Sequence, residues 1–245
     1  MTGPTTSAPG YREMPAPKAL RDIVACLWIR AIDSEEDVRI VPDGCADVVW
    51  QRGRGVTIAG PDTDAKIVSC TRDDLLVGIR FLPGAGGAAL GLPLDELRNL
   101  RVAAADVERA FVVDPDCEPP DVVERFISAA ADREADPLVS EAARRIERFD
   151  VRTIARELWV SERQLRRRFN SAVGYGPRTL ARVLRFHRFV EAVDGGRTDL
   201  AALALDSGYA DQAHLTRETT RLAGLSPLAL IRARTSNGRA ARAAT

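Results

Sequence analysis

An internal repeat in the C-terminal part of the chain restricts the possible folds more than any other feature. The first copy, VRTIARELWVSERQLRRRFN, begins at Val151, and the second, DLAALALDSGYADQAHLTRETTRLAG, begins at Asp199. In each copy the apolar residues recur at helical spacing, stop at a short break and then resume at the same spacing. Each copy therefore predicts two helices joined by a turn, which is the pattern of a helix-turn-helix unit.

Small residues at matching positions support this interpretation. Ala155 and Ala204 lie 49 residues apart, where two closely crossing helices need a small side chain. Leu165 and Leu215, in the two second helices, lie 50 residues apart, so the second turn is one residue longer. A Ser or Asp precedes each second helix and can cap its first turn.

Arginines cluster on the second helix of the first copy. Arg163, Arg166 and Arg167 are spaced i, i+3 and i+4, so they share one face, opposite Leu165 and Phe169. An arginine can donate two hydrogen bonds to atoms O6 and N7 of guanine. Such a cluster can also be an ordinary solvated face or part of a helical interaction module. Its place in a repeated helix-turn-helix favours contact with DNA.

The formal net charge is zero, but the charge is divided unequally along the chain. Residues 138–245 contain 20 Arg and 11 acidic residues, a net charge of +9. The rest contains 15 basic and 24 acidic residues, a net charge of −9. Because a positive field attracts phosphate groups, we expect the C-terminal half to bind double-stranded DNA and the acidic half to stay away from it.

The C-terminal part resembles the DNA-binding domain of the AraC/XylS family of bacterial transcription regulators, from near Val139 to Arg234. The most specific stretch is GYADQAHLTRETTRLAGLSPLAL, which has a Gly-aromatic turn, an arginine on the following helix and then Gly-x-Ser-Pro. The resemblance implies a cytoplasmic transcription factor that binds promoter DNA and contacts RNA polymerase. It also implies that two recognition helices enter successive major grooves, about 34 Å apart along the duplex. Activation and repression are both left open.

The resemblance assigns base contacts to three residues in each recognition helix: Arg163, Arg166 and Arg167 in the first, and Gln212, Ala213 and Arg217 in the second. Of the other arginines, Arg156 and Arg168 are expected to contact phosphate, which positions a protein without reading sequence. Thr219 and Ala223 stand where the family usually has core phenylalanines. We therefore expect looser packing in the second unit, with most of the base readout in the first.

Short runs rich in Val and Ile, separated by Gly and Pro, predict a β-sandwich or barrel in the N-terminal half. These runs are VRIVPDG, CADVVWQRG, GVTIAGP, KIVSCT and LLVGIRFLPG. This half resembles an uncharacterised, cupin-like domain found on one branch of these regulators, which implies that it binds an effector or dimerises. The expected fold class is α+β, with a β-rich cupin-like barrel followed by an all-α domain of two helix-turn-helix units joined by a linker helix.

These patterns divide the chain into five segments. We expect a disordered tail at 1–10, a β-rich sensor or dimerisation domain at 11–120, a connecting helix and linker at 121–136, the DNA-binding domain at 137–235 and a disordered tail at 236–245. The connecting helix, DVVERFISAAA, has an apolar stripe. That stripe can pack on the barrel or form a homodimer.

Two aromatic and two acidic side chains are candidates for an effector pocket in the N-terminal half, namely Trp28, Asp43, Asp47 and Trp50. For both tryptophans the alternative role is packing in the core, and the functional role is stacking on a small-molecule effector. Asp43 also lies in Pro42-Asp43-Gly44, a sequence typical of a turn between paired strands.

The histidines argue against a metal-dependent enzyme. Both His187 and His214 belong to the helical half, where we expect them to pack or to contact phosphate. The predicted barrel therefore lacks the histidine cluster that binds a catalytic metal. We expect no cofactor and no enzymatic activity.

The sequence also gives no sign of a membrane span, since no apolar run is long enough to cross a membrane.

The four cysteines, Cys26, Cys45, Cys70 and Cys117, are widely spaced and predict reduced thiols rather than disulfides or a zinc site. The alternative function is a thiol-based or alkyl-accepting covalent sensor that the helical domain brings to DNA. Such a sensor needs an activated cysteine, and the acidic residues on either side of Cys45 disfavour its thiolate.

Overall fold

The computed structural model describes residues 10–234. Residues 1–9 and 235–245, which hold nearly all of the two tails expected to be disordered, lie outside the described residues. The expected α+β class is confirmed, since a β-rich domain is followed by a helical domain.

The described N-terminal half contains eight strands. They are β1 (Tyr11–Pro15), β2 (Val24–Ala31), β3 (Glu36–Ile40), β4 (Ala46–Gln51), β5 (Gly55–Ala59), β6 (Lys66–Cys70), β7 (Leu75–Phe81) and β8 (Arg101–Ala103). Six of them form an antiparallel sheet in the order β1-β2-β7-β4-β5-β8. Strands β3 and β6 pair with each other in a separate two-stranded ribbon.

The large sheet is open where the sequence predicted a barrel. Strands β1 and β8 form its two edges, and no pairing joins them within the described residues. Helices and turns cover the apolar face instead of a second part of the same sheet. Phe111, in a 3-10 turn (Arg109–Phe111), lies between Phe81 of the sheet and Phe126 of a covering helix, with ring centroids 5.9 and 6.0 Å apart.

Three short or medium helices belong to this half, namely α1 (Gly86–Leu90), α2 (Ala104–Val107) and α3 (Pro119–Ala131). Further 3-10 turns span Lys18–Leu20 and Leu94–Glu96. Helix α3 contains the segment that the sequence left open between a dimer contact and packing on the sheet. Its apolar stripe, Val122, Phe126 and Ala130, is buried in the N-terminal core, so it packs on the sheet of its own chain.

The two faces of the large sheet differ in chemistry. On β4, residues Val48 and Trp50 are fully buried on the core face, while Asp47 alternates with them on the opposite face. The register places Asp47 opposite Arg80, and Trp28 opposite Gly78. The second face of the sheet therefore carries polar and charged side chains.

The C-terminal half consists of helices with one shared core. They are α4 (Pro137–Arg145), α5 (Val151–Glu157), α6 (Glu162–Val173), α7 (Pro177–Asp194), α8 (Leu200–Asp206), α9 (Gln212–Ala223) and α10 (residues 227–234). The linker helix α7 buries Leu180, Val183, Phe186, Phe189 and Val190 in this core. Both helix-turn-helix units pack on α7, which fixes their relative positions.

The two halves are in direct contact. The C-terminal end of α6 packs on α1 and on the 3-10 turn that contains Leu94. At Gly174, which caps α6, a Cβ atom would lie 2.3 Å from Cγ of Pro61. Val41, which follows β3, packs against the C-terminal core. The N-terminal domain therefore supports the first recognition helix directly.

Candidate nucleic-acid interface

The first helix-turn-helix unit comprises α5 and α6, and its geometry follows from local capping. Ser161 accepts a hydrogen bond from the backbone N–H of Gln164 at 3.2 Å, and the Gln164 side chain accepts one from the backbone N–H of Ser161 at 3.0 Å. This reciprocal capping box starts α6 at the predicted position. Ala155 is buried where α5 and α6 approach each other, as the small residue predicts.

The arginines of α6 lie on its exposed face. Arg163, Arg166 and Arg167 are all exposed, while Leu165 and Phe169 on the opposite side are fully buried. Arg166 forms an ion pair of 2.9 Å with Glu162, one turn earlier on the same helix. Within residues 10–234, neither Arg163 nor Arg167 forms an ion pair, so both guanidinium groups are available to a nucleic acid.

The second unit repeats this arrangement with α8 and α9. Gln212, Ala213 and Arg217 are exposed on α9, and the side chain of Asp211 accepts a hydrogen bond of 2.6 Å from the backbone N–H of His214. The His214 ring packs edge-on against Tyr209, with centroids 5.2 Å apart. His214 therefore packs inside the second unit.

Two positions of the second unit depart from the usual family residues, and both are core positions. Thr219 and Ala223 are fully buried on the inner face of α9. The Thr219 hydroxyl has no hydrogen-bond partner within the described residues. A buried polar group without a partner costs stability, because it has lost its hydrogen bonds to water.

The two arginines expected to contact phosphate have different surroundings. Arg156 is exposed near the end of α5 and forms no ion pair with the described residues. Arg168 forms an ion pair of 2.8 Å with Asp136, the residue that caps α4. A phosphate contact by Arg168 would therefore have to share or replace this carboxylate.

Comparison with known families agrees with this geometry. Residues 154–233 match a family described as a helix-turn-helix domain, and residues 12–103 match a family described as a domain of unknown function (DUF6597). The C-terminal half is an AraC-type helix-turn-helix domain. The chain is accordingly a DNA-binding regulator of transcription.

Several solved structures are similar to the chain. The C-terminal domain of AraT, a response regulator from Geobacillus stearothermophilus, is 21% identical, with 40% of this chain and 86% of that chain covered and a TM-score of 0.37. ToxT from Vibrio cholerae is 10% identical, with 91% and 98% covered and a TM-score of 0.47. Wild-type ToxT bound to an unsaturated fatty acid is 10% identical, with 84% and 94% covered and a TM-score of 0.47. No curated protein matches the chain.

Three of the four candidate effector residues meet on the polar face of the sheet, next to the AraC-type domain. Trp28 donates its indole N–H to Oδ1 of Asp47 at 3.3 Å. Asp43 accepts a hydrogen bond of 2.9 Å from the backbone N–H of Cys45, which confirms the predicted turn. That turn joins β3 to β4, which belong to different sheets rather than to one pair. A Cβ on Gly44 would lie 2.8 Å from Cδ1 of Leu180, so the turn touches α7.

Trp50 does not belong to this group, contrary to the expectation from the sequence. It is fully buried in the core, and its indole N–H donates a hydrogen bond of 3.0 Å to the carbonyl oxygen of Asp114. Trp50 is three residues after Asp47 on the same strand, so the two side chains lie on opposite faces. Because side chains alternate between the two faces of a strand, the sequence spacing alone could have placed Trp50 and Asp47 on opposite faces.

Arg80 is the central residue of the polar face, and it was missing from the sequence prediction. Its Nε atom lies 3.1 Å from Oδ1 of Asp47 and 3.4 Å from Oδ2 of Asp43, and its Nη1 lies 3.6 Å from Oε1 of Glu13. Burial raises the pKa of Asp47, while the adjacent Arg80 acts in the opposite direction. One arginine therefore neutralises only part of the charge of three carboxylates.

The cysteines near this cluster are poor nucleophiles. Burial, and then the neighbouring Asp43 carboxylate, raises the pKa of the Cys45 thiol well above its usual range. Burial raises the pKa of Cys26 to about 12. Because the thiolate is the reactive form, this environment argues against the covalent-sensor alternative.

Two further findings concern metals and membranes. Within residues 10–234, no group of three or more His, Cys, Asp or Glu side chains is arranged to hold a metal ion. None of the helices in this described range has the length and apolar composition needed to span a bilayer.

Proposed function

We propose that the chain is a sequence-specific, cytoplasmic regulator that inserts α6 and α9 into successive major grooves of promoter DNA. The observation that carries the proposal is the pair of capped recognition helices whose exposed faces bear Arg163, Arg167 and Arg217 and which both pack on α7. An 18-residue helix such as α7 is about 27 Å long. A spacer of that size suits two helices that lie about one turn of DNA apart.

In this proposal the residues of each recognition helix have different roles. Arg163, Arg166 and Arg167 read most of the bases, with Gln212, Ala213 and Arg217 adding contacts in the second groove. Arg156 and Arg168 contact phosphate and set the register without reading sequence. The bound regulator then acts on RNA polymerase at the promoter. It needs no cofactor and no catalytic step, because binding alone changes transcription.

We further propose that the N-terminal domain modulates DNA binding by taking up a small effector or by forming a homodimer. Trp28, Asp43 and Asp47 form the effector site in this proposal, together with Arg80. The support is their position, because the Asp43 turn touches α7 at Leu180. A ligand that moved this turn would act on the helix that carries both recognition units.

Selection from a random duplex library tests the proposed DNA binding. We expect the full-length protein to enrich a motif with two half-sites and to bind it at least 100-fold more tightly than a shuffled duplex. Arg167→Ala should weaken binding to the selected duplex and relax the preference at one base pair. Arg144→Ala, which removes an exposed arginine of α4 that pairs with Glu141, is the matched control. Equal affinity for selected and shuffled duplexes at every salt concentration would overturn the proposal.

A further inference from the structure

Trp159 occupies the turn of the first helix-turn-helix unit, and the residue is 94% exposed. Its backbone is left-handed, with φ of +57°. The Trp159 N–H donates to the carbonyl of Arg156 at 3.2 Å, and the Val160 N–H donates to that of Ala155 at 3.0 Å. These two bonds form a Schellman motif at the end of α5, a position that usually holds glycine.

The second unit contains the same turn with the usual residue. Gly208 has φ of +84°, and its N–H donates to the carbonyl of Leu205 at 2.9 Å. The Tyr209 N–H donates to Ala204 at 2.8 Å. Gly208 follows Trp159 by 49 residues, the same offset that relates Ala204 to Ala155. The two turns are therefore equivalent, and Trp159 stands where the second unit has the usual glycine.

The stability of the fold does not explain why this position holds a tryptophan. A side chain in the left-handed region costs free energy that glycine avoids. The exposed indole buries too little apolar surface to compensate for this cost. Strain of this kind, when combined with a large exposed aromatic group, points to a binding role.

The surroundings of Trp159 favour an anionic partner. The residue lies two positions before Ser161, the N-cap of α6, and the N-terminal end of a recognition helix is the end that reaches the bases. Arg156 and Arg163, on either side in sequence, are exposed. The nearby carboxylates of Glu157 and Glu162 are already paired, with Arg145 and Arg166.

We propose that Trp159 is a DNA-contacting residue that packs its ring on the sugar–phosphate backbone beside the groove entered by α6 and donates its indole N–H to a phosphate oxygen. The indole has the required parts, a flat apolar surface and a single N–H donor. This inference rests on the proposed function, and it adds a backbone contact made by an uncharged side chain. Such a contact strengthens binding to any sequence and releases no counterion.

The test compares wild type, Trp159→Gly and Trp159→Phe as full chains. The probes are a duplex selected by the wild type from a random library and a shuffled duplex of the same length. We expect Trp159→Gly to keep or raise the thermal midpoint while weakening binding to both duplexes alike, by about tenfold. The dependence of affinity on salt should not change. Trp159→Phe, which keeps an aromatic ring but lacks the N–H, should recover only part of the loss.

Intrinsic fluorescence provides a second readout. Trp28 and Trp50 are buried, so the emission of solvent-exposed tryptophan comes from Trp159, and either duplex should shift or quench it. Wild-type affinity in Trp159→Gly, or emission that DNA leaves unchanged, would overturn the assignment. A loss of affinity in Trp159→Gly that is confined to the selected duplex would indicate base reading and would also overturn the assignment. So would a defect that appears only when RNA polymerase is present. If the wild type binds no duplex at all, the proposed function itself fails.

Discussion

The guanidinium of Arg39, on the β3–β6 ribbon, donates a hydrogen bond of 2.8 Å to the backbone carbonyl of Ala223, the last residue of α9. The carbonyl groups at the end of a helix have no partners within the helix and carry partial negative charge, so a cation stabilises them. The N-terminal domain thus holds the end of the second recognition helix. It also packs on the end of the first one, at Gly174.

Arg39→Ala should lower the free energy of unfolding by about 1 kcal/mol, because the Ala223 carbonyl loses a charged donor. We also expect weaker protection of the second half-site than of the first in a footprint, since α9 is then less constrained. Denaturant unfolding and footprinting measure the two effects. Arg12→Ala removes an exposed arginine of β1 and is the control. Identical unfolding curves for both variants would contradict the role given to Arg39.

Gly174→Ala should disturb the contact between the halves. Gly174 and Gly196 both have φ of +88°, so alanine is strained by about 1 kcal/mol at either position. Only Gly174 has a close neighbour, since its Cβ would meet Pro61 at 2.3 Å, whereas nothing lies within 4 Å at Gly196. Gly174→Ala should therefore lower the free energy of unfolding by about 1–3 kcal/mol more than Gly196→Ala. Equal losses in urea titrations would show that the contact adds nothing.

Thr219→Val should stabilise the second unit. The substitution keeps the shape of the side chain and removes a buried hydroxyl that has no partner within the described residues. We expect a gain of about 1 kcal/mol, measured by thermal or chemical unfolding. Thr220→Val, at the next and exposed position of α9, should change stability little. A destabilised Thr219→Val protein would mean that the hydroxyl is satisfied, for example by a buried water molecule.

The stability of the chain should fall as the pH rises past neutrality. Burial is the largest single effect on His187 and acts against a charged imidazole. The hydrogen bond with Glu191, with Nδ1 and Oε1 3.3 Å apart, and the negative charges of Asp43 and Glu191 together outweigh it and raise the pKa of His187. The folded chain then binds this proton more tightly than the unfolded chain does. This stabilisation is therefore complete below the unfolded-state pKa of about 6.5 and is lost as the pH rises through the folded-state pKa.

Urea unfolding between about pH 6 and about pH 8.5 measures this decline. His187→Gln should flatten the part of the stability–pH profile that comes from the His187–Glu191 pair. His214→Gln is the control and should leave that part unchanged. Parallel profiles for wild type and His187→Gln would contradict the assignment.

Much of the helical half could be predicted because its determinants are local. The period of 3.6 residues identified the buried positions Ile154, Leu165 and Phe169, and proline marked the starts of α4 and α7 at Pro137 and Pro177. Helix caps and helical periodicity depend on interactions within about one turn of helix. The residues involved are close together in the chain, so the sequence shows these features directly.

The arrangement of the strands could not be predicted in the same way. Strand β7 lies between β2 and β4, which come much earlier in the chain, and only this order brings Arg80 next to Asp47. Such pairings depend on contacts between distant segments, which no short pattern encodes. Whether β1 and β8 pair to close the sheet is a long-range contact of the same kind, and within the described residues they do not pair. The conformation of Trp159 was also missed, since its turn suits glycine.

The contacts made by the two recognition helices matter for how the chain is cut into fragments. A piece that begins near Pro137 would leave the Ala223 carbonyl without Arg39 and would open the surface around Gly174 to water. Affinities measured on such a fragment would describe two helix-turn-helix units released from their support, and they would not report how the intact chain fixes α6 and α9 relative to each other.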